Sequence, residues 1–339
     1  MRRTFTNLLY SERYISTKLN QEPCIVRLLV SFINKMLLNK SQVDIAGVSL
    51  WTSVKEKSMD YGVLVKFKLN ITVVISAVFA YFIALKGETN WFSVCILFFG
   101  GFFVTGAANA LNQILERDFD KLMERTKNRP LITGRVTAPE AILVAGIMSL
   151  IGIGLLSMFN PLTAVLGMIS LVLYSFVYTP LKRVSPVAVM VGAIPGALPT
   201  MIGAVAEQGH MTHLALTLFA LQFFWQFPHF WAIAWLGDED YKKAGFNLLP
   251  SSSGQLDSSI GMQAFGYALF LIPIGILPYT FHATGLISAV AITLFTVVYA
   301  YYSWMLYKKC DRIAARNLMF CSFFYLPLSL IAMMLDKVG

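Results

Sequence analysis

Charged residues are scarce in this chain of 339 residues: Asp, Glu, Lys and Arg make up 13% of it, about half the share of a soluble domain. Hydrophobic residues make up 57%, and the mean hydropathy is +0.65. This composition excludes a water-soluble globular protein, a disordered chain and a nucleic-acid-binding protein with a basic soluble surface. It predicts a protein that crosses a membrane several times, so the lipid bilayer is expected as a partner and nucleic acid is not.

Cysteine and phosphate-loop motifs are also lacking. The four cysteines are far apart and form no Cys-x-x-Cys pair, which argues against a disulfide framework or a zinc site. Neither Gly-x-x-x-x-Gly-Lys-Ser/Thr nor Gly-x-Gly-x-x-Gly occurs, so nothing supports an ATP-driven or dinucleotide-dependent mechanism.

Long apolar runs are plentiful instead. From residue 69 onward, nine runs alternate with short polar loops, and each is long enough to cross ~30 Å of hydrocarbon. Because only helices satisfy their backbone internally at this length, the sequence predicts an all-α membrane bundle of nine transmembrane helices. The predicted spans are 69–85, 91–111, 139–158, 162–178, 187–206, 214–236, 261–280, 285–305 and 318–335.

Residues 1–65 contain no such run. They predict a basic N-terminal cytoplasmic tail, followed by one membrane domain at 66–337. Residues 24–38 have an apolar face interrupted by Arg27 and Lys35, which fits an amphipathic helix on the membrane surface. A mitochondrial transit peptide is the alternative for this region.

The basic residues lie on one side of the predicted bundle. Residues 1–68 and the loops after spans 2, 4, 6 and 8 carry 24 Lys and Arg residues, whereas the opposite side carries only Lys86 and Lys337. By the positive-inside rule, the N-terminus is cytoplasmic and the C-terminus lies outside.

The acidic residues are few, and seven of the 18 form two clusters at cytoplasmic ends of predicted spans. Both spans run towards the cytoplasm, so these acids lie at helix C-termini, where the helix dipole disfavours negative charge. A compensating cation is therefore expected. The clusters are Glu116, Asp118, Asp120 and Glu124, and Asp238, Glu239 and Asp240.

Spacing places oxygen-bearing side chains of the first cluster on one helix face. Asn112, Glu116 and Asp120 recur every four residues, whereas Asp118 points elsewhere. Oxygen ligands suit Mg²⁺, so these three side chains are candidate metal ligands and catalytic residues. An acidic helix end that pairs with neighbouring Arg and Lys is the alternative.

The second cluster follows an intramembrane series of polar residues. Gln222, Gln226, His229 and Asp240 share one face if the sixth helix continues, although Pro228 makes this phase less certain. Intramembrane Gln and His are functional candidates. For His229, a hydrogen-bonded packing role is the alternative.

Basic residues stand beside the acids at the same membrane face. Carboxylates that hold Mg²⁺, together with adjacent cations, suit a diphosphate that must leave with its charge stabilised. For each base alone, membrane orientation or contact with anionic lipid is the alternative. These bases are Arg125, Lys127, Arg129, Lys182, Arg183, Lys242 and Lys243.

From about residue 66 to 337, the motifs resemble the UbiA superfamily of intramembrane prenyltransferases. The stretch 112–120 (NQILERDFD), with the basic extension to Leu131, resembles the first metal-binding motif of that family, and 178–183 (YTPLKR) resembles its next cytoplasmic loop. The stretches 225–231 (WQFPHFW) and 240–245 (DYKKAG) are similar to the subgroup that farnesylates haem. Glu116 departs from the pattern, because the superfamily usually has Asp there.

The resemblance implies a UbiA-like fold, Mg²⁺ as cofactor, and farnesyl diphosphate and protohaem IX as substrates. Farnesyl diphosphate would alkylate a vinyl group of protohaem with addition of water, in the biosynthesis of haem O and haem A for terminal oxidases. The resemblance adds Asp240 to the metal ligands and implies that His229 is catalytic, in contact with haem iron or a propionate. The residues that it places at the substrates are Arg125, Lys127, Arg129, Tyr178, Lys182, Arg183, Gln226 and Lys243.

The short loops and the modest tail favour a bacterial inner (plasma) membrane as the location, with the mitochondrial inner membrane as the alternative. Haem A synthase and terminal-oxidase assembly proteins are candidate partners. Another prenyltransferase, acting on a quinone precursor or a chlorin, is the alternative enzyme, and the motif around His229 argues against it. A transporter is disfavoured because its ion sites would lie near the bilayer midplane, whereas these acids lie at the inner edge.

Overall fold

A computed structural model describes residues 54–250 and 256–338. The chain divides into two units, Met1–Met59 and Asp60–Gly339. In the first unit, the described residues 54–59 are helical. The surface helix predicted at 24–38 and most of the predicted tail lie outside the described residues, and the domain boundary at residues 65/66 stays a prediction.

The described part of the second unit contains nine helices of at least 18 residues, in the order of the nine predicted spans. Helix α4 continues through a π-helical segment, Leu173–Tyr178. The nine are α1 (Phe67–Ala84), α2 (Trp91–Leu115), α3 (Ala138–Ser157), α4 (Pro161–Leu181), α5 (Val187–Gln208), α6 (His213–Leu236), α7 (Ser258–Thr280), α8 (Leu286–Lys309) and α9 (Arg312–Leu335).

Eight of these helices are long and apolar enough to span a membrane by length and composition. The exception is α6, which is 24 residues long but carries Gln222, Gln226 and His229 in its interior. All three side chains are buried in the protein. Polar groups on a membrane helix are tolerated when they face the bundle interior, so α6 has the composition of a helix that lines a site.

Side-chain caps fix where several helices begin. The side chain of Asn90 accepts hydrogen bonds from the backbone at the start of α2, and Thr137 and Glu140 form a capping box on α3. Asp311 accepts from the amide of Ala314 and starts α9 six residues before the predicted span. The prediction began late there because Arg312 and Arg316 lower the local hydropathy.

Helices α1 and α5 approach closely at Gly203. A Cβ atom at this position would lie 2.0 Å from the carbonyl oxygen of Ala77, so only glycine permits the contact. Small residues of this kind let membrane helices pack backbone to backbone. The contact helps to place α5 in the interior of the bundle, and 72% of an 18-residue stretch of this helix is buried.

Candidate active site

The cytoplasmic end of α2 carries three buried oxygen-bearing side chains, Asn112, Glu116 and Asp120. Helix α2 ends at Leu115, Glu116 forms its cap, and a short helix, Arg117–Asp120, continues the chain. The three predicted metal-ligand candidates therefore lie at a break between two helical segments, and all of them turn away from solvent.

Each of these side chains faces a cation. Lys66 Nζ donates to Asn112 Oδ1 (3.0 Å), and Lys182 Nζ donates to Glu116 Oε1 (2.8 Å). Arg129 Nη1 donates to Asp120 Oδ2. The compensating charge expected at this helix end is thus supplied by three basic side chains of the chain itself.

Asp120 keeps one oxygen without a hydrogen-bond partner. Its Oδ1 is buried and unpaired, whereas its backbone carbonyl accepts from Thr126 Oγ1 (2.7 Å). Burial raises the pKa of Asp120, and the adjacent Arg129 opposes that rise. A buried carboxylate oxygen with no donor is the group that a bound cation satisfies.

Lys66 was not among the candidate residues found in the sequence. Its backbone is left-handed (φ 50°) immediately before α1, and its ammonium group contacts Asn112. Burial and the nearby Lys182 and Arg129 lower the pKa of Lys66 to about 7. In the sequence this lysine resembles the other basic residues that set membrane orientation next to a span. Only its contact with Asn112 in the structure places it in the buried cluster.

Lys182 connects the cluster to α4. Its ammonium lies 4.4 Å from the ring centre of Tyr178, close enough for a cation–π contact. Burial opposes the charge of Lys182, but the Glu116 carboxylate, together with the nearby Tyr174 and Tyr241, outweighs burial and raises the pKa of the lysine. Arg183 points to another side and stacks 4.2 Å over the ring of Phe119.

The loops that follow α2 and α6 pack together. Phe119 and Phe246 lie 6.1 Å apart, and Arg125 Nη2 donates to Tyr241 Oη over 3.4 Å. The amide of Asn247 donates to the carbonyl of Lys182 (2.9 Å). Both acidic motifs and the loop after α4 therefore belong to one end of the bundle.

The second acidic cluster differs from its prediction. Helix α6 ends at Leu236, and Gly237 separates it from a new short helix, Asp238–Lys243. Asp240 therefore does not extend the face of Gln222, Gln226 and His229. Its carboxylate lies 3.6 Å from the exposed ammonium of Lys243.

Two further predicted substrate contacts, Arg125 and Lys127, are at the surface. Lys127 is exposed and forms an ion pair with Glu124, and Arg125 is exposed above Tyr241. Within the described residues, no three His, Cys, Asp or Glu side chains are grouped closely enough to hold a metal ion. The metal and substrate roles of the candidate residues accordingly stay predictions.

A cavity of about 450 Å³ opens beside the buried cluster. Residues of α1, α2, α4, α5, α6 and α9 line it, and most of them are apolar or aromatic. Asn109 and Tyr178 are part of this lining. Asn109 lies about one helical turn before Asn112, and the ring of Tyr178 contacts the ammonium of Lys182, so the cavity extends to the charged cluster. Its deeper polar lining includes Gln222, Gln226 and His229.

Two structural details position this lining. The π-helical segment of α4 lets Thr179 Oγ1 donate to the carbonyl of Tyr174 (2.8 Å) and accept from Asn112 Nδ2 (3.0 Å). Gln226 Nε2 donates to the carbonyls of Ala193 and Gln222, and a Cβ atom at Gly196 would lie 2.0 Å from its Oε1. π-Helical segments often occur at functional sites, and no pattern in the sequence indicates this one.

Residues 73–326 match the UbiA prenyltransferase family. The chain belongs to this family. Among curated relatives, Protoheme IX farnesyltransferase of Cytophaga hutchinsonii is 45% identical over 279 residues, which cover 82% of this chain and 97% of that protein. The protein of the same name in Christiangramia forsetii is 42% identical and covers 82% and 93% of the two chains.

Several solved structures share the fold. A structure of digeranylgeranylglyceryl phosphate synthase superposes with a TM-score of 0.70 at 20% identity and covers 83% of this chain and 98% of that one. A UbiA homologue of Archaeoglobus fulgidus bound to GPP and Mg²⁺ superposes with a TM-score of 0.62 at 14% identity and covers 81% and 99%. The predicted helical membrane fold and the predicted family are confirmed.

Proposed function

We propose that the chain transfers the farnesyl group of farnesyl diphosphate to a vinyl group of protohaem IX, giving haem O and diphosphate. The bond between farnesyl C1 and the diphosphate oxygen breaks, and a carbon–carbon bond forms to the vinyl group. Water adds to the other vinyl carbon and releases a proton. The two curated relatives described above support these substrates, because both bear the name Protoheme IX farnesyltransferase.

One observation of the structure supports this chemistry above all others: three buried oxygen-bearing side chains and three cations meet beside an aromatic cavity. An allylic diphosphate ionises readily only if the departing charge is stabilised and water is kept from the carbon chain. The charged cluster suits the first requirement, and the apolar cavity suits the second.

The donor set fits Mg²⁺. Asp120 Oδ1 is a buried oxygen without a donor, and Asn112 and Glu116 add further oxygens from the same helix end. These residues would hold the ion, with Asp240 from the second motif as the remaining predicted ligand. Mg²⁺, when bound, neutralises diphosphate charge in the ground state and as the leaving group departs.

The basic side chains act on the diphosphate directly. Lys182 and Arg129 are held in place by Glu116 and Asp120, so their charges are positioned before the substrate binds. Lys66 adds a third donor, and the exposed Arg125, Lys127, Arg183 and Lys243 attract the anion to this end of the bundle. Tyr178 and the other rings of the cavity stabilise cationic charge on the farnesyl chain.

The bacterial sources of these relatives support the bacterial inner membrane as the location. Haem A synthase and terminal-oxidase assembly proteins remain candidate partners, since haem O would pass to them.

The test is expression of the full chain in bacterial cells that lack haem O synthase, followed by analysis of extracted haem. We expect haem O from the wild type and, from Asp120→Asn, a loss of about 100-fold or more because the charged ligand is gone. Asp118→Asn is the matched control: it removes a carboxylate two residues away whose side chain is 71% exposed, and it should retain activity. Chelation of Mg²⁺ in membrane preparations should abolish turnover.

Absence of haem O from cells that contain wild-type protein would refute the proposed substrates. Full activity of Asp120→Asn, or full turnover in excess chelator, would refute the metal role.

A further inference from the structure

Ser322 joins α9 to Trp225 and His229, two residues of the stretch 225–231 on α6. It is completely buried. Trp225 Nε1 donates to its backbone carbonyl (2.9 Å), and its hydroxyl oxygen lies 2.7 Å from His229 Nδ1. One serine thus contacts both rings.

The hydroxyl hydrogen of Ser322 already takes part in a hydrogen bond to Met319. Its Oγ lies 2.5 Å from the carbonyl oxygen of Met319, which can only accept. A hydroxyl group has one hydrogen, so Ser322 donates to Met319 and accepts from His229. This network assigns the proton of the neutral imidazole to Nδ1 and leaves an unprotonated lone pair on Nε2.

With Nδ1 bonded to Ser322, Nε2 is the ring nitrogen of His229 that is available to contact a molecule in the cavity. His229 lines that cavity, and no hydrogen bond ties Nε2 to another of the described residues. The ring is held in plane by Trp225, which stacks on it at 4.8 Å and 17°, and Phe323 meets it edge-on at 5.4 Å. The lone pair is therefore held in a fixed direction.

We propose that Nε2 of His229 is an axial ligand of the iron of the haem substrate, and that Ser322 is the positioning residue that presents this nitrogen. The inference rests on the proposed function, because it assigns a binding atom to its acceptor substrate. Metal-binding histidines typically donate their second ring N–H to a fixed acceptor, as His229 does to Ser322. A bare lone pair cannot donate to a propionate carboxylate, so the iron is the partner that suits it.

Ligation would also orient the acceptor. A porphyrin held at its iron by a ring that cannot rotate has one plane in which to lie. The vinyl groups are then restricted to a few positions in the cavity, which favours attack by the farnesyl carbon over side reactions.

The test uses the full chain in detergent micelles, titrated with ferric protohaem and, separately, with metal-free protoporphyrin IX. Both compounds have the vinyl and propionate groups, and only the first has iron. We expect the wild type to bind protohaem about tenfold or more tightly than the metal-free porphyrin, with a histidine-ligated electron paramagnetic resonance spectrum. In His229→Ala this preference and this spectrum should disappear.

His229→Gly with added imidazole distinguishes loss of the iron ligand from misfolding of the variant. Free imidazole should restore the spectrum if the site is intact. An unchanged spectrum and an unchanged preference for iron in His229→Ala would overturn the proposal, and so would failure of wild-type protein to bind protohaem.

The role of Ser322 has its own readout. In ferrous protein, Ser322→Ala should shift the iron–imidazole stretching frequency, because Nδ1 loses its acceptor, and Ser322→Thr should restore it. Ser329→Ala is the matched control, since Ser329 is also completely buried on α9 but forms no hydrogen bond with His229. An unshifted frequency in Ser322→Ala would remove Ser322 from the proposal.

Failure of this inference and failure of the proposed function give different results. If cells expressing the wild type make haem O while His229→Ala protein shows the wild-type haem spectrum, the ligand assignment fails alone. If those cells make no haem O, the proposed function fails whatever the spectrum shows.

Discussion

At the residue scale, spacing along one helix identified the buried oxygens but not their partners. Asn112, Glu116 and Asp120 recur every four residues, and this spacing places them together although α2 ends at Leu115 and a second short helix carries Asp120. Lys66 approaches Asn112 from the turn before α1, 46 residues away in the chain. A single sequence carries no periodic signal for such a contact, so it could not have been predicted.

The same scale gives a stability prediction for Lys182. Lys182 and Glu116 form a buried pair, with 11% and 8% of their side chains exposed, and removing one partner of such a pair costs about 3–5 kcal/mol. Lys182→Met should therefore lower the melting temperature of the protein in detergent micelles. Lys121→Met is the matched control, because Lys121 pairs with Asp118 at the surface and should melt like the wild type.

Adding Glu116→Gln to Lys182→Met tests the cause. The double variant removes both charges of this pair, so it should recover part of the lost melting temperature. If Lys182→Met has the same melting temperature as the wild type, the pair contributes nothing to stability and the expected cost is wrong.

At the scale of the helices, hydropathy predicted each of the nine long helices of the described residues but was weakest at their ends. Residues that cap a helix are polar, so a hydropathy window stops before them, as it did for α9 at Asp311 and Arg312. The end of α6 shows the opposite error. A regular helical phase was extended past Leu236 to Asp240, whereas Gly237 breaks the helix there.

Close packing of α1 and α5 gives the prediction at this scale. Gly203→Ala would place a Cβ atom 2.0 Å from the Ala77 carbonyl oxygen, and forcing such helices apart costs about 1–3 kcal/mol. We expect a lower melting temperature and less monodisperse protein in detergent. Gly146→Ala on α3 is the control, since a Cβ atom there meets nothing within 4 Å. Equal stability of the two variants would show that α1 and α5 can separate freely.

At the scale of the whole molecule, the number of crossings decides which side the C-terminus occupies. Nine helices form the described bundle, but only eight meet the composition expected of a span, and α6 is the exception. If α6 crosses the membrane, the chain ends on the side opposite the loop after α2. If α6 does not cross, both lie on the same side.

Cysteine labelling can distinguish the two arrangements. In a protein without its native cysteines, Lys127→Cys in the loop after α2 should react with an impermeant maleimide only after cells are opened. Lys86→Cys, between α1 and α2, and Val338→Cys, after α9, should react in intact cells, because nine crossings and a one-sided basic charge place both outside. Comparison of the labelling of Lys86→Cys with that of Val338→Cys shows whether α6 crosses the membrane. Labelling of Val338→Cys only in opened cells, with Lys86→Cys still labelled in intact cells, would mean that α6 does not cross, and the acidic motif after α6 could then not face the motif after α2.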